Sequence, residues 1–302
     1  MSGALGVRGP CPPAIIEAIA SGLVIEPLAH PKPGSVTRLV GHADKDIFDF
    51  ALNAFIVSAS MHEACRASLS RCQGSIAEGF RFYRGLRRRW KRGVNISLGS
   101  ILLYMPVASS LSRGFEGARS LLSRASNLVA RCTGREEAVE YYKLLEEMRP
   151  SHLRSYKGPV PGVGSGEYPS SFLEVLESAR WDHVHRELLE GYPLTGKALT
   201  IIEREAGDSD IETALLKSLV ELLASHGDTL IAAKHGYKAY IAALKEAKTA
   251  AKISEKIGVR KTLEWLDSLW RPRGWNPGAL LDIISLASGL YIAENIIASQ
   301  QG

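Results

Sequence analysis

Glu26-Pro27-Leu28-Ala29-His30-Pro31-Lys32-Pro33-Gly34 separates two apolar runs of helical period and continues into Gly41-His42-Ala43-Asp44-Lys45-Asp46. Ile15, Ile16, Ile19, Leu23 and Val24 precede it; Phe48, Leu52, Phe55 and Ile56 follow it. Each set falls on one helix face. The stretch between them therefore reads as an ordered crossing between two packed helices. Pro31 and Pro33 bracket Lys32, fixing their own φ and steering the residues before them out of the helical region. Lys32 is carried on extended backbone as a result. Gly34 permits a turn that a Cβ resists, and Asp44 and Asp46, at i and i+2, bring two carboxylates close together in a loop.

Outward from this crossing, helical periodicity runs from about residue 13 to the end of the chain, with no alternating strand pattern. The expected class is all-α: a multi-helical globular protein over 1–302 with a buried central C-terminal helix. Helices are expected at about 13–25, 46–72, 74–90, 97–112, 114–132, 135–148, 169–190, 194–206, 210–225, 229–257, 259–269 and 277–299. No repeat period shows, which argues against a solenoid. One break stands out at 150–168, rich in proline and glycine, which reads as a lid or linker between two halves, with Lys157 as its ligand-facing residue. The last helix is long and apolar enough to span a bilayer, but Asp282 and Glu294 interrupt it, so a buried soluble helix fits better than a membrane span. Burial makes Asp282 costly unless it has a partner.

The 302 residues suffice for a large core, and the net charge of +5 suits an anionic ligand. Aromatics make up 7% and do not interleave with basic residues, which argues against a nucleic-acid partner. Cys11, Cys65, Cys72 and Cys132 form no C-x-x-C pair. Free thiols in a reducing cytoplasm are expected, with Cys65 and Cys72 as small buried residues on one helix face. Pro10, Pro12 and Pro13 interrupt any export-signal core, so the expected location is cytoplasmic.

Several polar residues have a reading as caps. Asp46 with Asp49 resembles a capping box, Asp228 precedes a helix at Thr229, and Asn276-Pro277 reads as a cap followed by proline at the first helical position. Capping explains neither Asp44 nor Asp282. Helix starts also offer free N–H groups, so those at Gly93 to Gly99, His226 to Asp228 and Asn276 to Gly278 together make a phosphate cradle. Arg87 to Arg92 reads as a solvated helix end, with Arg92 nearest the glycine turn. Asp182 with Arg186, and His183 with Glu187, read as surface i, i+4 pairs, and His185 is set aside with them.

The ordered segments resemble the triphosphoribosyl-dephospho-CoA synthase family. The resemblance is carried by Glu26 to Gly34, the Gly/His/Asp-rich step ending in Lys45-Asp46, Gly93 to Asn95 with Gly99, Asp228-Thr229 followed by Lys234 and Gly236, and Asn276 to Asp282. It departs from the family pattern at Thr37, Asp44 and Ile96 to Leu98. It implies an all-helical enzyme that takes ATP and dephospho-CoA, joins the ATP ribose C1′ to a ribose hydroxyl and releases adenine. The product would be the precursor of the prosthetic group of acyl carrier subunits. On this reading Glu26, Asp228 and Asp282 are the catalytic candidates. Lys32, Gly34, Asn95, Gly99, Lys234, Gly236, Asn276 and Gly278 bind nucleotide and phosphate, and Asp44 and Asp46 hold Mg²⁺. Two alternatives stay open: a different ATP-dependent transferase or kinase of cofactor biosynthesis, and a non-catalytic nucleotide-binding helical module.

Overall fold

Caps and glycines divide the chain into its helices in the computed structural model, which describes residues 9–90, 96–150, 153, 158–207 and 209–299. The N-terminal half contributes α1 (Pro13–Leu28), α2 (Ile47–Ser68), α3 (Ser75–Arg89), α4 (Leu98–Ser110), α5 (Ala118–Cys132) and α6 (Arg135–Met148). The rest contributes α7 (Phe172–Ser178), α8 (His183–Glu190), α9 (Pro193–Ala206), α10 (Ile211–His226), α11 (Thr229–His235), α12 (Tyr237–Ile257), α13 (Val259–Trp270) and α14 (Gly278–Ala298). No strand occurs among the described residues, and the fold is all-α.

Two expected helices are each broken in two. The span 169–190 divides because Asp182 accepts the backbone N–H groups of Val184 and His185 and so opens α8 as a separate helix. The span 229–257 divides at Gly236, whose φ of +85° lies in the left-handed region that glycine tolerates.

The core is built around α14, which lies against α1, α4, α8, α9 and α10. Gly22 of α1 and Gly289 of α14 make the closest of these crossings possible. A Cβ at Gly22 would strike the Ser285 carbonyl, and one at Gly289 would strike the Ile19 carbonyl. Each glycine costs about 1 kcal/mol of helix propensity, which the close approach of two apolar helices offsets. Among the described residues α14 is the one helix long and apolar enough to cross a membrane, yet 61% of that window is buried inside the protein. It is the hub of the core.

The free-thiol expectation is overturned. Cys11 is paired with Cys65 and Cys72 with Cys132, with Cα–Cα distances of 5.7 and 5.3 Å. Cys72 lies beyond the end of α2, so it does not share a helix face with Cys65. Each bond joins segments more than fifty residues apart, a pairing that no local spacing encodes.

The arginine run is not simply solvated. Arg88 reaches Glu147 of α6 at 2.6 Å, Arg84 just upstream of the run pairs with Glu140 and Glu147, and Arg87 is buried. Arg92, Asn95 and Lys157 lie outside the described residues. In the described part of 150–168, Val160 is buried, and the Tyr142 hydroxyl donates to the Pro161 carbonyl at 2.9 Å.

Candidate active site

The crossing after α1 folds back on itself. The Lys32 ammonium donates to the Glu26 carbonyl at 2.7 Å and to the Glu26 carboxylate, and both side chains are buried. Burial pushes the Glu26 carboxyl up and the Lys32 ammonium down from their ordinary values, and their mutual attraction opposes both shifts.

Distant helices hold the backbone of this crossing. The His30 N–H donates to Glu212 at 2.8 Å, Arg260 donates to the His30 carbonyl at 3.0 Å, and the Gly34 N–H donates to Asp267 at 2.6 Å. Gly34 has φ +63°, and a Cβ there would collide with the Trp275 carbonyl, so only glycine fits. Thr37 shares a hydrogen bond with His30 at 3.1 Å and accepts the N–H groups of Leu39 and Val40, closing the next turn.

A cavity of about 610 Å³ opens beside the crossing. Of the residues nominated from the sequence, Glu26, Lys32, Asp44, Gly99, Lys234, Asn276, Gly278 and Asp282 line it. They come from four segments far apart in the chain. Gly34 lies behind the wall, against Trp275. Gly236 forms the turn between α11 and α12 and does not line the cavity.

Asp46 is the cap of α2: its carboxylate accepts from Phe48 and Asp49, and Asp49 returns a bond to its N–H, completing the capping box. Asp228 is buried, with one oxygen on the Leu230 N–H and the other on the Leu280 N–H, both at 2.8 Å. It therefore pins the starts of α11 and α14 together from behind the wall. Burial pushes its carboxyl up to about 7, against the pull of those N–H groups.

Asn276 is not the cap of α14. Its side chain instead accepts from Ser35 at 2.8 Å, tying the crossing to the helix start, and Pro277 takes the position before Gly278.

Asp282 projects into the cavity from the first turns of α14. Ser100 donates to it, yet burial pushes its carboxyl up to about 7, with Glu26, Asp228 and Asp182 adding like charge. A Cβ at Gly99 would run into this carboxylate. Glycine at that position therefore lets the start of α4 approach Asp282. Partial burial, with Lys45 nearby, lowers the Lys234 ammonium from its ordinary value. The starts of α4, α8 and α14 all reach the wall; Asp182 and Asp228 take N–H groups of α8 and α14, while α4 has no side-chain cap. Cations, helix starts and two carboxyls with raised values, one of them at about 7, are an arrangement suited to a polyphosphate and to proton transfer.

The model of one protein family, ATP:dephospho-CoA triphosphoribosyl transferase, matches residues 12–300. The chain belongs to that family. It is an ATP-using transferase of the triphosphoribosyl transferase class. Among solved structures, the chain shares its fold with a protein from Archaeoglobus fulgidus described as a candidate triphosphoribosyl-dephospho-CoA synthase. The two are 19% identical with a TM-score of 0.57, covering 81% of this chain and 98% of the other. None of the curated proteins compared with the chain matches it.

Part of the cavity wall is not legible in the sequence. Asp182, His185 and Tyr141 line it, as do Lys45, Ser97 and Arg149. The surface pairs assigned to α8 do not form. Asp182 bonds to His185, Arg186 turns to His183 at 3.0 Å, and buried Glu187 accepts the N–H groups of Leu194 and Thr195 to open α9. Both carboxylates are taken up by helix starts, Asp182 by that of α8 and Glu187 by that of α9, so caps rather than i, i+4 pairs decide their partners. The signal available was Asp182 itself, a cap residue ahead of an apolar run.

Proposed function

We propose that this cavity binds ATP and dephospho-CoA, transfers the triphosphoribosyl group of ATP to a ribose hydroxyl of dephospho-CoA, and releases adenine. One observation carries the reading: a single cavity gathers Glu26, Lys32, Asp44, Gly99, Lys234, Asn276, Gly278 and Asp282 from segments spread over most of the chain. Lys234, Gly99 and the starts of α4 and α14 hold the triphosphate. Asn276 and Gly278 place the nucleotide against α14.

The acceptor oxygen attacks C1′ while the bond from C1′ to N9 breaks and its electron pair leaves on adenine. Asp282, held at about 7, donates the proton that adenine takes away, and the Glu26 carboxylate offsets the positive charge that develops on the ribose. Asp228 acts as a positioning residue by setting the angle of α14.

The donor set fits a magnesium ion brought in with the triphosphate. Asp44 stands exposed at the cavity wall, Asp46 is committed to its cap, and no group of three or more ligating side chains occurs among the described residues. Asp44 would hold the ion jointly with phosphate oxygens and waters. When bound, such an ion neutralises phosphate charge.

The test is chromatography of ATP and Mg²⁺ incubated with the protein, with and without dephospho-CoA. Adenine release that depends on dephospho-CoA is the expected result. A second reading, an ATP-dependent transferase with another acceptor, is favoured by the position of Asp44, Ser97 and Leu98. These residues depart from the family pattern and line the cavity. ADP formation with a different acceptor would replace the first reading with this one.

A further inference from the structure

Asp182, His185 and Tyr141 stand in a hydrogen-bonded row on the cavity wall, and the steps described above leave the acceptor's proton without a destination. Asp182 Oδ1 accepts the N–H groups of Val184 and His185, which is all that capping α8 requires. It also takes the His185 ring at Nδ1, 2.9 Å away, while Oδ2 takes the Thr229 hydroxyl at 2.9 Å.

A carboxylate can only accept, so the proton of the neutral ring sits on Nδ1 and the lone pair on Nε2. Nε2 lies 3.2 Å from the Tyr141 hydroxyl, which donates to it. Burial opposes ionisation of Asp182, but the bond from His185, the positive charge of that ring when protonated and the bond from Thr229 outweigh it and lower the carboxyl to about 2. A fixed carboxylate behind an imidazole with a free lone pair is the arrangement of a general base whose cation is stabilised from the rear.

The row also sits beside the proton donor. A Cβ built at Gly99 would press on both the Asp282 carboxylate and Val184, the neighbour of His185. The helix carrying His185 and the carboxyl of Asp282 therefore meet at the same glycine. Asp282 from α14 and Asp228 ahead of α11 are the further acids that interact with Asp182, and Arg186 is turned away toward His183.

We propose that His185 is the general base of the transfer, taking the acceptor hydroxyl's proton on Nε2, with Asp182 fixing its tautomer and Tyr141 occupying Nε2 until the acceptor arrives. This rests on the triphosphoribosyl-transfer reading. The hydroxyl proton moves to Nε2, the oxygen's electron pair forms the bond to C1′, and the pair of the broken bond to N9 leaves on adenine with the proton of Asp282. His185 then returns its proton to solvent and Asp282 regains one, so the cycle closes with no other reactant.

The experiment measures adenine release by the protein with ATP, Mg²⁺ and dephospho-CoA across a pH series, for wild type, His185→Gln and Asp182→Asn. Melting curves of each variant run alongside. Wild type that releases no adenine removes the transfer reading, and this proposal with it. Given wild-type turnover, His185→Gln is expected to lower kcat by about 100- to 1000-fold with the KM for ATP within threefold. The limb over which kcat rises with pH should disappear in that variant. A kcat within threefold of wild type, or a retained limb, overturns the assignment. Should His185→Gln fail to fold, Asp182→Asn decides, because its amide oxygen in the place of Oδ1 still accepts the α8 N–H groups and the ring N–H, while the variant lacks the negative charge that stabilises the protonated ring. A loss of about 10- to 100-fold supports the proposal, and a kcat within threefold of wild type overturns it.

Discussion

The crossing from Glu26 to Asp46 and the start of α8 at Asp182 wall the same cavity, yet the charged side chains they present to it are held in opposite ways. In the crossing, Lys32 turns back to Glu26, six residues away, and the pair is closed on itself. At α8, Asp182 and His185 are completed by Tyr141 of α6 and Thr229 of α11, more than forty residues away on either side. A cavity side chain whose partner is local leaves a motif in the sequence, even where, as in the crossing, the backbone is anchored by distant helices. One whose partners come from other helices leaves only a cap. The same contrast separates the lysines, since Lys32 is engaged by Glu26 while Lys234 makes no ion pair with a described residue and faces the cavity.

The sharpest way to break this comparison is to open the closed pair. Lys32→Ala leaves the Glu26 carboxyl buried without its cation and is expected to cost about 3–5 kcal/mol in urea unfolding. The double variant Lys32→Met with Glu26→Gln should recover most of that loss. A single variant as stable as wild type would show that the pair does not hold the crossing.

Asp282→Asn comes next and separates charge from fold. We expect adenine release to fall about 100-fold while the amide keeps the Ser100 bond. In the wild type, kcat should fall as pH rises through about 7, where Asp282 loses its proton. The stability sign follows from the same raised value. Between about 4 and 7 the folded state keeps a proton that the unfolded chain has released, so the contribution of this group is lost as pH rises through that window. The variant escapes this loss, and its melting temperature should exceed that of wild type by more at pH 8 than at pH 5. An equal difference at both pH values would exclude a neutral Asp282.

Thr229→Val removes the hydroxyl that donates to Asp182 and accepts the His183 N–H. The expected cost is about 1–3 kcal/mol, together with a several-fold drop in kcat that marks the α8 start as assembled from outside. Thr37→Ala is the smallest change. It removes a turn that closes within the crossing, and about 1 kcal/mol in a denaturant midpoint is expected with kcat unchanged.

The legibility of the site followed the range of its contacts. The capping box of Asp46 and Asp49 was readable because both bonds close within one turn, and Gly34 was readable because a proline-bracketed turn needs it. Asp228 was half legible: its bond to Leu230 is local, but its bond to Leu280 crosses fifty-two residues and makes it a clamp between helices. The disulfides were illegible for the same reason, and the expectation of free thiols failed on them. The helix break at Gly236 is not legible, because an isolated glycine in a helical pattern does not announce whether it ends a helix or merely weakens it.

Sequence alone determined the helical class, the crossing at Pro31 to Gly34 and the charged and glycine residues that carry the family pattern, because periodicity, proline φ and caps act over a few residues. The tertiary structure decided that Asp282 meets Gly99, that Asp228 stands behind the wall, and that Asp182, His185 and Tyr141 join the cavity. Those outcomes depend on how α14 packs against α1 and on which buried polar groups find partners there. Partners are set by close packing in three dimensions, and no spacing along the chain contains them.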